Sequence, residues 1–219
     1  MRGGGMKKIK NKKILWISPI FLVAVFLAVF SFLNFEMTEA ADDDDIITVN
    51  LDVGSTISVT CTDTVTMNGI TGTGQSSIDS SNRATCNVKT TNSGGYKLEW
   101  QASSATMASG GDTIAAYTPA SADTPETWSV AAADSEWGGH LGSTSTTADT
   151  TTWGAADTYA GGKWLNVNNA AVFQVVQRTS ETSSGGDDEY IYFGAEVGAN
   201  KWQPDGTYTV NVTMTATTL

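Results

Sequence analysis

The stretch GTYTVNVTMTATTL, residues 206–219, decides the fold class of this chain. After an opening glycine it alternates strictly, and one phase carries the apolar side chains Tyr208, Val210, Val212, Met214 and Ala216. Successive side chains of a strand point to opposite faces, so the pattern predicts a β-strand with one buried face. A chain that ends on such a strand is predicted to close a β-sandwich against its own core.

The same alternation recurs upstream, between clusters of Gly, Ser, Asn and Asp. Apolar residues occupy every second position, or nearly so, in residues 47–53, 57–61, 84–88, 96–100, 173–176 and 191–197. No segment beyond residue 40 shows a useful apolar repeat of 3.6 residues. The sequence therefore predicts an all-β domain with a single core.

The amino terminus predicts export. Five lysines within the first 13 residues precede an uncharged apolar run, residues 14–35, which Pro19 interrupts. This order is typical of a secretory signal, and we expect cleavage after Ala40 or Ala41. The alternative is an uncleaved anchor, because the run is long enough to span a bilayer. Residues 1–40 are thus a signal peptide or membrane anchor, and residues 41–219 form the exported domain.

The exported domain is strongly acidic. Beyond residue 40 six lysines and arginines face 21 acidic residues, a net charge of −15. This charge argues against nucleic acid or anionic lipid as a partner, so any membrane contact is expected through the amino-terminal segment alone, if it is retained. A Thr/Ser/Gly-rich, lysine-poor composition is typical of a protein at the cell surface or secreted from the cell.

Two cysteines, Cys61 and Cys86, are the only ones in the chain, and both fall on the inward phase of predicted strands. In an exported protein this placement predicts a disulfide. The alternative is a pair of buried free thiols. A zinc site is not expected at these cysteines, because the chain offers a single histidine, His140.

Five segments together resemble a known family: ITVNLDV, TISVTC, ATCNVKT and GYKLEW, with GTYTVNVTMTAT closing the chain. They are similar to the spore coat protein U and archaic chaperone-usher pilin group, and more loosely to Ig-like bacterial surface proteins with Trp motifs. The resemblance implies an incomplete Ig-like sandwich whose first two strands are bridged by the two cysteines. It also implies self-association, in which a segment near the amino terminus is donated to a neighbouring subunit.

The donated strand is expected to carry Ile47, Val49, Leu51 and Val53 on its inward phase. The alternative is that the same segment is an edge strand of its own domain. The sequence departs from the family after Cys61, where Met67-Asn68-Gly69 replaces an aromatic-glycine pair, and in the middle of the chain. These departures bear on assembly by a dedicated chaperone more than on the fold.

Residues 103–169 form a long, weakly periodic region, which we expect to be loop-rich with short strands near 127–131 and 163–167. The region carries Trp137, Trp153, Tyr159 and Trp164, which are candidates for stacking on the faces of sugars. The alternative is that these rings anchor the loops to the sandwich. Exposure of the rings distinguishes the two interpretations.

Catalytic and metal motifs are not evident. His140, with Glu136 and Ser143 nearby, is expected to be an exposed loop residue. The acidic runs 42–45 and 185–189 lack the spaced ligands of a calcium loop, and we expect a solvated spacer and a hairpin turn, respectively.

The sequence therefore predicts an all-β, Ig-like or pilin-like sandwich that is not an enzyme and needs no cofactor. We expect a structural or adhesive surface protein, most concretely a pilin-like or coat subunit, with a cell-surface glycan or protein as a further possible partner. The competing function is a carbohydrate-binding module.

Overall fold

The structure is a computed structural model that describes residues 48–219. The chain divides into two units, residues 1–51 and 52–219. Of the first unit, only residues 48–51 are described, and they form neither helix nor strand. The predicted signal segment, residue Ile47 and the acidic run 42–45 lie outside the described residues. No helix within residues 48–219 is long and apolar enough to cross a bilayer.

The second unit contains ten strands and two short helical turns. The strands are β1 Ile57–Cys61, β2 Gly74–Gln75, β3 Arg83–Thr90, β4 Tyr96–Ala102, β5 Thr106–Ser109, β6 Asp112–Ala116, β7 Ser135–Leu141, β8 Phe173–Arg178, β9 Asp187–Val197 and β10 Val212–Thr218. A 3-10 turn, Ser80–Asn82, precedes β3, and a single α-turn, α1, spans Thr150–Trp153. The prediction of an all-β fold is confirmed.

The strands form two sheets. The larger sheet has the order β1-β3-β9-β7-β6-β5, with β2 added beside β9, and the smaller sheet has the order β10-β4-β8. All paired strands are antiparallel except β6 and β7, which are parallel. The closing strand β10 pairs with β4 along its whole length, from Val212 opposite Ala102 to Thr218 opposite Tyr96.

An inter-sheet core fills the space between the two sheets. The fully buried side chains Leu98 and Trp100 of β4 face Trp137 of β7 and Ile191 of β9 across it. Burial alternates along β3 and β4, as period-two strands with one buried face require. The inward phase predicted for β10 is also observed, since Val212, Met214 and Ala216 pack against this core.

A second core lies on the opposite face of the larger sheet. It consists of Tyr117, Trp128, Tyr159, Trp164 and Tyr192, which we call the outer aromatic cluster. On β9, Tyr192 lies between Ile191 and Phe193, which both point into the inter-sheet core. Its own side chain therefore points to the other face of the sheet. Loops between β6 and β8 supply the remaining rings. The larger sheet is consequently covered on both faces near β9.

The middle region is loop-rich, as predicted, but it also contributes β5, β6 and β7 to the larger sheet. The short strands expected near residues 127–131 and 163–167 do not form. Two isolated β-bridges lie near these residues instead, between Glu126 and Trp164 and between Gly139 and Leu165.

Beyond Leu165 the chain reaches the smaller sheet, where the N–H of Ala102 donates to the carbonyl of Asn168 at 3.0 Å. Residues 165–168 therefore cross from β7 to β4 and close one side of the sandwich.

Candidate assembly site

The opposite side of the sandwich is open. Strand β1 is the edge of the larger sheet and pairs only with β3, while β10 is the edge of the smaller sheet and pairs only with β4. The two edge strands lie next to each other. Within residues 48–219 no backbone hydrogen bond joins them. We call the gap between β1 and β10 the open slot.

The walls of the open slot are apolar and partly exposed. Ile57 and Val59 of β1, together with Val212, Met214 and Ala216 of β10, pack against the inter-sheet core without being fully buried. Corresponding positions on the internal strands β3 and β4 are fully covered, as Val88 and Leu98 show. The slot thus exposes apolar surface and unpaired backbone groups together, which native edge strands ordinarily avoid.

A cavity of about 210 Å³ opens at one end of the slot. Met107, Trp137 and Phe193 form part of its lining from the larger sheet, and Val65, Met67 and Met214 line it nearer the slot. A cavity of this volume has room for roughly one or two large aliphatic side chains, so the core is incompletely filled at this end of the slot.

The disulfide lies at the rim of this cavity. Cys61 and Cys86 occupy directly opposed positions on β1 and β3 and are bonded, which confirms the predicted bridge. Cys86 is fully buried, whereas Cys61 lines the cavity. The bridge therefore links the edge strand β1 to the internal strand β3 at the end of the slot where the cavity opens.

The segment predicted to be a donated or an edge strand is not part of either sheet. Residues 48–56 form no strand, and Val49, Leu51 and Val53 are 85%, 84% and 80% exposed. These are the largest exposures among the large aliphatic side chains of the described residues. The alternation of apolar residues is present here, but the partner strand is not supplied by the described part of this chain.

The four rings proposed for sugar stacking are buried. Trp137 belongs to the inter-sheet core, Trp153 packs edge-on against Trp100 with ring centroids 5.7 Å apart, and Tyr159 stacks on Trp164 at 5.0 Å. Their exposed fractions are between 0% and 9%. These rings offer no stacking platform to a sugar. Trp153, Tyr159 and Trp164 anchor the connection between β7 and β8, as the alternative interpretation required, whereas Trp137 is part of strand β7.

Sequence reasoning did not single out Trp202, which is 88% exposed. Its loop is held by the neighbouring Gln203, whose amide contacts Ser135 at 2.7 Å and Tyr208 at 2.7 Å. No exposed second ring accompanies it among the described residues. The sequence offered no signal, because a single tryptophan in a polar loop is equally compatible with burial.

The expectation for His140 is wrong. His140 lies on β7 opposite Tyr192 and its side chain is 0% exposed. The carboxylate beside it belongs to Asp157, not Glu136, and Ser143 contributes its backbone N–H to that carboxylate. The arrangement contains no nucleophile next to the ring, so it does not form a catalytic triad.

The acidic run at residues 185–189 is only partly the hairpin turn that was expected: Gly185 lies in a turn before β9, but the acidic residues themselves belong to the strand. Strand β9 begins at Asp187, and Asp187 and Glu189 are 3% and 0% exposed. Burial, reinforced by the nearby charge of Asp187, raises the pKa of Glu189 to about 7, against the opposing hydrogen bonds from Tyr96 and Thr147. Asp187 is paired with Arg178 at 3.0 Å.

No group of three or more His, Cys, Asp or Glu side chains within the described part of the chain is arranged to hold a metal ion. No protein-family model matches the chain, and no significant relative is found among curated proteins. The geometry of the open slot is therefore the principal guide to function.

Proposed function

We propose that this protein is a non-enzymatic structural subunit of a secreted or surface-attached assembly, in which each subunit inserts its amino-terminal segment into the open slot of the next. The observation that carries the proposal is the coexistence of an unfilled apolar slot and an exposed apolar strand sequence in one chain. Val49, Leu51 and Val53 are exposed, and the walls of the slot between β1 and β10 are apolar and unpaired.

Strand addition would bury the exposed apolar side chains and pair the free backbone groups of the slot at the same time. An extended segment placed between β1 and β10 can form ladder hydrogen bonds with both edges, and its inward side chains can enter the interior at every second residue. Complete burial of an aliphatic side chain contributes about 1.5 to 3 kcal/mol, so three such residues provide substantial driving force. The acceptor and the donor belong to the same chain type, and repetition therefore generates a linear polymer.

The charge of the exported domain is compatible with this role. A net charge of −15 beyond residue 40 keeps subunits soluble and disfavours non-specific association. The outward phase of β10, Thr213, Thr215 and Thr217, is exposed and uncharged. Polar threonine faces are suited to the solvent-facing surface of an extracellular assembly.

The experiment compares the oligomeric state of matched variants of the full chain. Val49→Asp/Leu51→Asp places two charges on the inward phase, whereas Thr48→Asp/Asn50→Asp places the same two charges on the outward phase. We expect the unmodified chain and the outward variant to form linear oligomers, visible by sedimentation and negative-stain microscopy. The inward variant should remain monomeric, because burial of an unpaired carboxylate opposes insertion.

A second measurement tests the slot directly. A chain lacking residues 41–53 should bind a synthetic peptide of residues 46–53 in trans. A peptide with the two outward aspartates should bind with similar affinity, whereas a peptide with the two inward aspartates should bind more weakly. A full-length protein that stays monomeric at high concentration rules out assembly by strand addition.

A further inference from the structure

The segment 154–163 lies against the larger sheet around His140. A bridge between Gly154 and Gly162 closes this segment into a loop. Gly162 lies so close to the imidazole that a Cβ atom there would be 3.0 Å from Cε1 of His140. The ring is fully buried, so its contacts with the segment are made without water.

Both ring nitrogens of His140 face oxygen acceptors in this segment. Nδ1 is 3.0 Å from the carbonyl oxygen of Lys163, and Nε2 is 3.2 Å from Oδ1 of Asp157. A neutral imidazole has one donor and one acceptor nitrogen, so the lone pair of its unprotonated nitrogen would face one of these two oxygens. Only the imidazolium donates to both.

The surroundings of the ring favour a cation. The ring centroid of Trp164 is 5.3 Å from that of His140, within the distance of about 6 Å over which aromatic faces attract cations. The rings of Tyr192 and Trp153 lie slightly farther away, at 6.1 and 6.3 Å. A buried charge also needs a counter-ion, and the carboxylate of Asp157 supplies it.

Asp157 is itself held as a carboxylate. Partial burial acts to raise its pKa, but hydrogen bonds from Ser143 and His140 outweigh burial and lower the pKa below its ordinary value. The N–H of Ser143 donates to Oδ1 of Asp157 at 2.6 Å. The other cations nearby are engaged elsewhere: Lys163 donates to the carbonyl of Thr151, and Arg83 stacks on Tyr190.

We propose that His140 is an imidazolium and that its ion pair with Asp157 is a latch that fastens residues 154–163 to the larger sheet. Tyr159 of the outer aromatic cluster lies within the fastened segment, and Trp164 of the same cluster directly follows it. The inference is independent of the proposed assembly through the open slot.

The test uses the fact that the chain contains one histidine. If the full chain is prepared without a polyhistidine tag, nitrogen-detected NMR at neutral pH reports the two ring nitrogens of His140 alone. We expect both to have the chemical shifts of protonated nitrogens. A ring nitrogen with the shift of an unprotonated imidazole would overturn the proposal.

A pair of matched variants tests the latch. In Asp157→Asn the amide can donate to Nε2, so the ring should lose that proton, and hydrogen exchange of the Lys163 amide should accelerate about 10- to 100-fold, as loss of a charged hydrogen bond implies. Asp149→Asn alters the same stretch of chain at the start of α1 and should leave the ring protonated. Unchanged protonation and exchange in Asp157→Asn would refute the latch, and amides of β9 monitor the fold.

Discussion

The phenolic oxygen of Tyr96 lies 2.9 Å from Oε1 of Glu189, and this hydrogen bond joins the two sheets inside the protein. Tyr96 begins β4 of the smaller sheet, and Glu189 belongs to β9 of the larger sheet. Asp187 is the second carboxylate near the same hydroxyl, at 3.2 Å. One donor therefore serves two buried carboxylates, and the proton on Glu189 becomes important for stability.

Stability is expected to fall as pH rises from about 4.5 to 7. The pKa of Glu189 is raised from 4.5 to about 7, so in this range the folded state binds more protons than the unfolded state. The stabilisation is fully present below the ordinary pKa and is lost as pH rises through the folded pKa, a change of about 3 kcal/mol. Chemical denaturation between pH 4.5 and 8 measures the slope.

Glu189→Gln should remove this contribution to the slope, because glutamine accepts the hydrogen bond of Tyr96 and does not ionise. The variant should be more stable than the unmodified protein at pH 8. Glu181→Gln, at an exposed position, is the control and should keep the original pH dependence. An unchanged slope in Glu189→Gln would contradict the assignment.

The disulfide is expected to contribute to the free energy of unfolding of the domain. Cys61 and Cys86 are separated by 25 residues, and closing a loop of this size stabilises by about 3 to 4 kcal/mol in the chain-entropy model. Cys61→Ala/Cys86→Ala should lower the free energy of unfolding by about 2 to 5 kcal/mol. The unmodified protein under reducing conditions should show a similar loss, and alkylation of two thiols without reduction would disprove the bridge.

Gly139 on β7 should not tolerate a side chain. A Cβ atom there would lie 2.7 Å from Cη2 of Trp100 and 2.9 Å from Cγ2 of Val167, both in the inter-sheet core. Gly139→Ala is therefore expected to destabilise by about 1 to 3 kcal/mol through overpacking. Gly111→Ala is the control, because nothing lies within 4 Å of its Cβ position, and its midpoint of thermal unfolding should hardly change.

The amino-terminal segment is predicted to be removed on export. Cleavage close to Ala40 would give a mature chain that begins within Ala41-Asp42. Intact-mass measurement of the protein recovered from outside the cell tests this. A mass that still includes residues 14–35 would identify a membrane-anchored protein instead.

Strands that alternate cleanly were predictable from the sequence. β1, β3, β4 and β10 carry apolar residues at every second position, and three of these four are rich in threonine or valine, which favour strands. By contrast, β7 has the sequence SEWGGHL, whose two consecutive glycines disfavour a strand by composition. Tertiary packing of the rings of Trp100 and Trp128 against these glycines overrides that preference.

The candidate site was only partly predictable. Alternation in residues 48–53 identified a strand-like sequence, but a period of two does not reveal which strand it pairs with. The burial of His140, Asp187 and Glu189 could not be read from the sequence, because their partners are distant along the chain. Glu189 meets Tyr96 across 93 residues, for example.

The double coverage of the larger sheet has a consequence for sequence divergence. Along β9, Ile191, Tyr192, Phe193 and Ala195 are all buried, because one phase enters each of the two cores. Along β10 every second residue is exposed, including Thr213 and Thr215. A saturation mutagenesis map should therefore show an uninterrupted intolerant block over residues 191–195 of β9 and intolerance at every second residue of β10, and neutral substitutions should accumulate on the threonine phase of β10 while residues 191–195 stay nearly fixed.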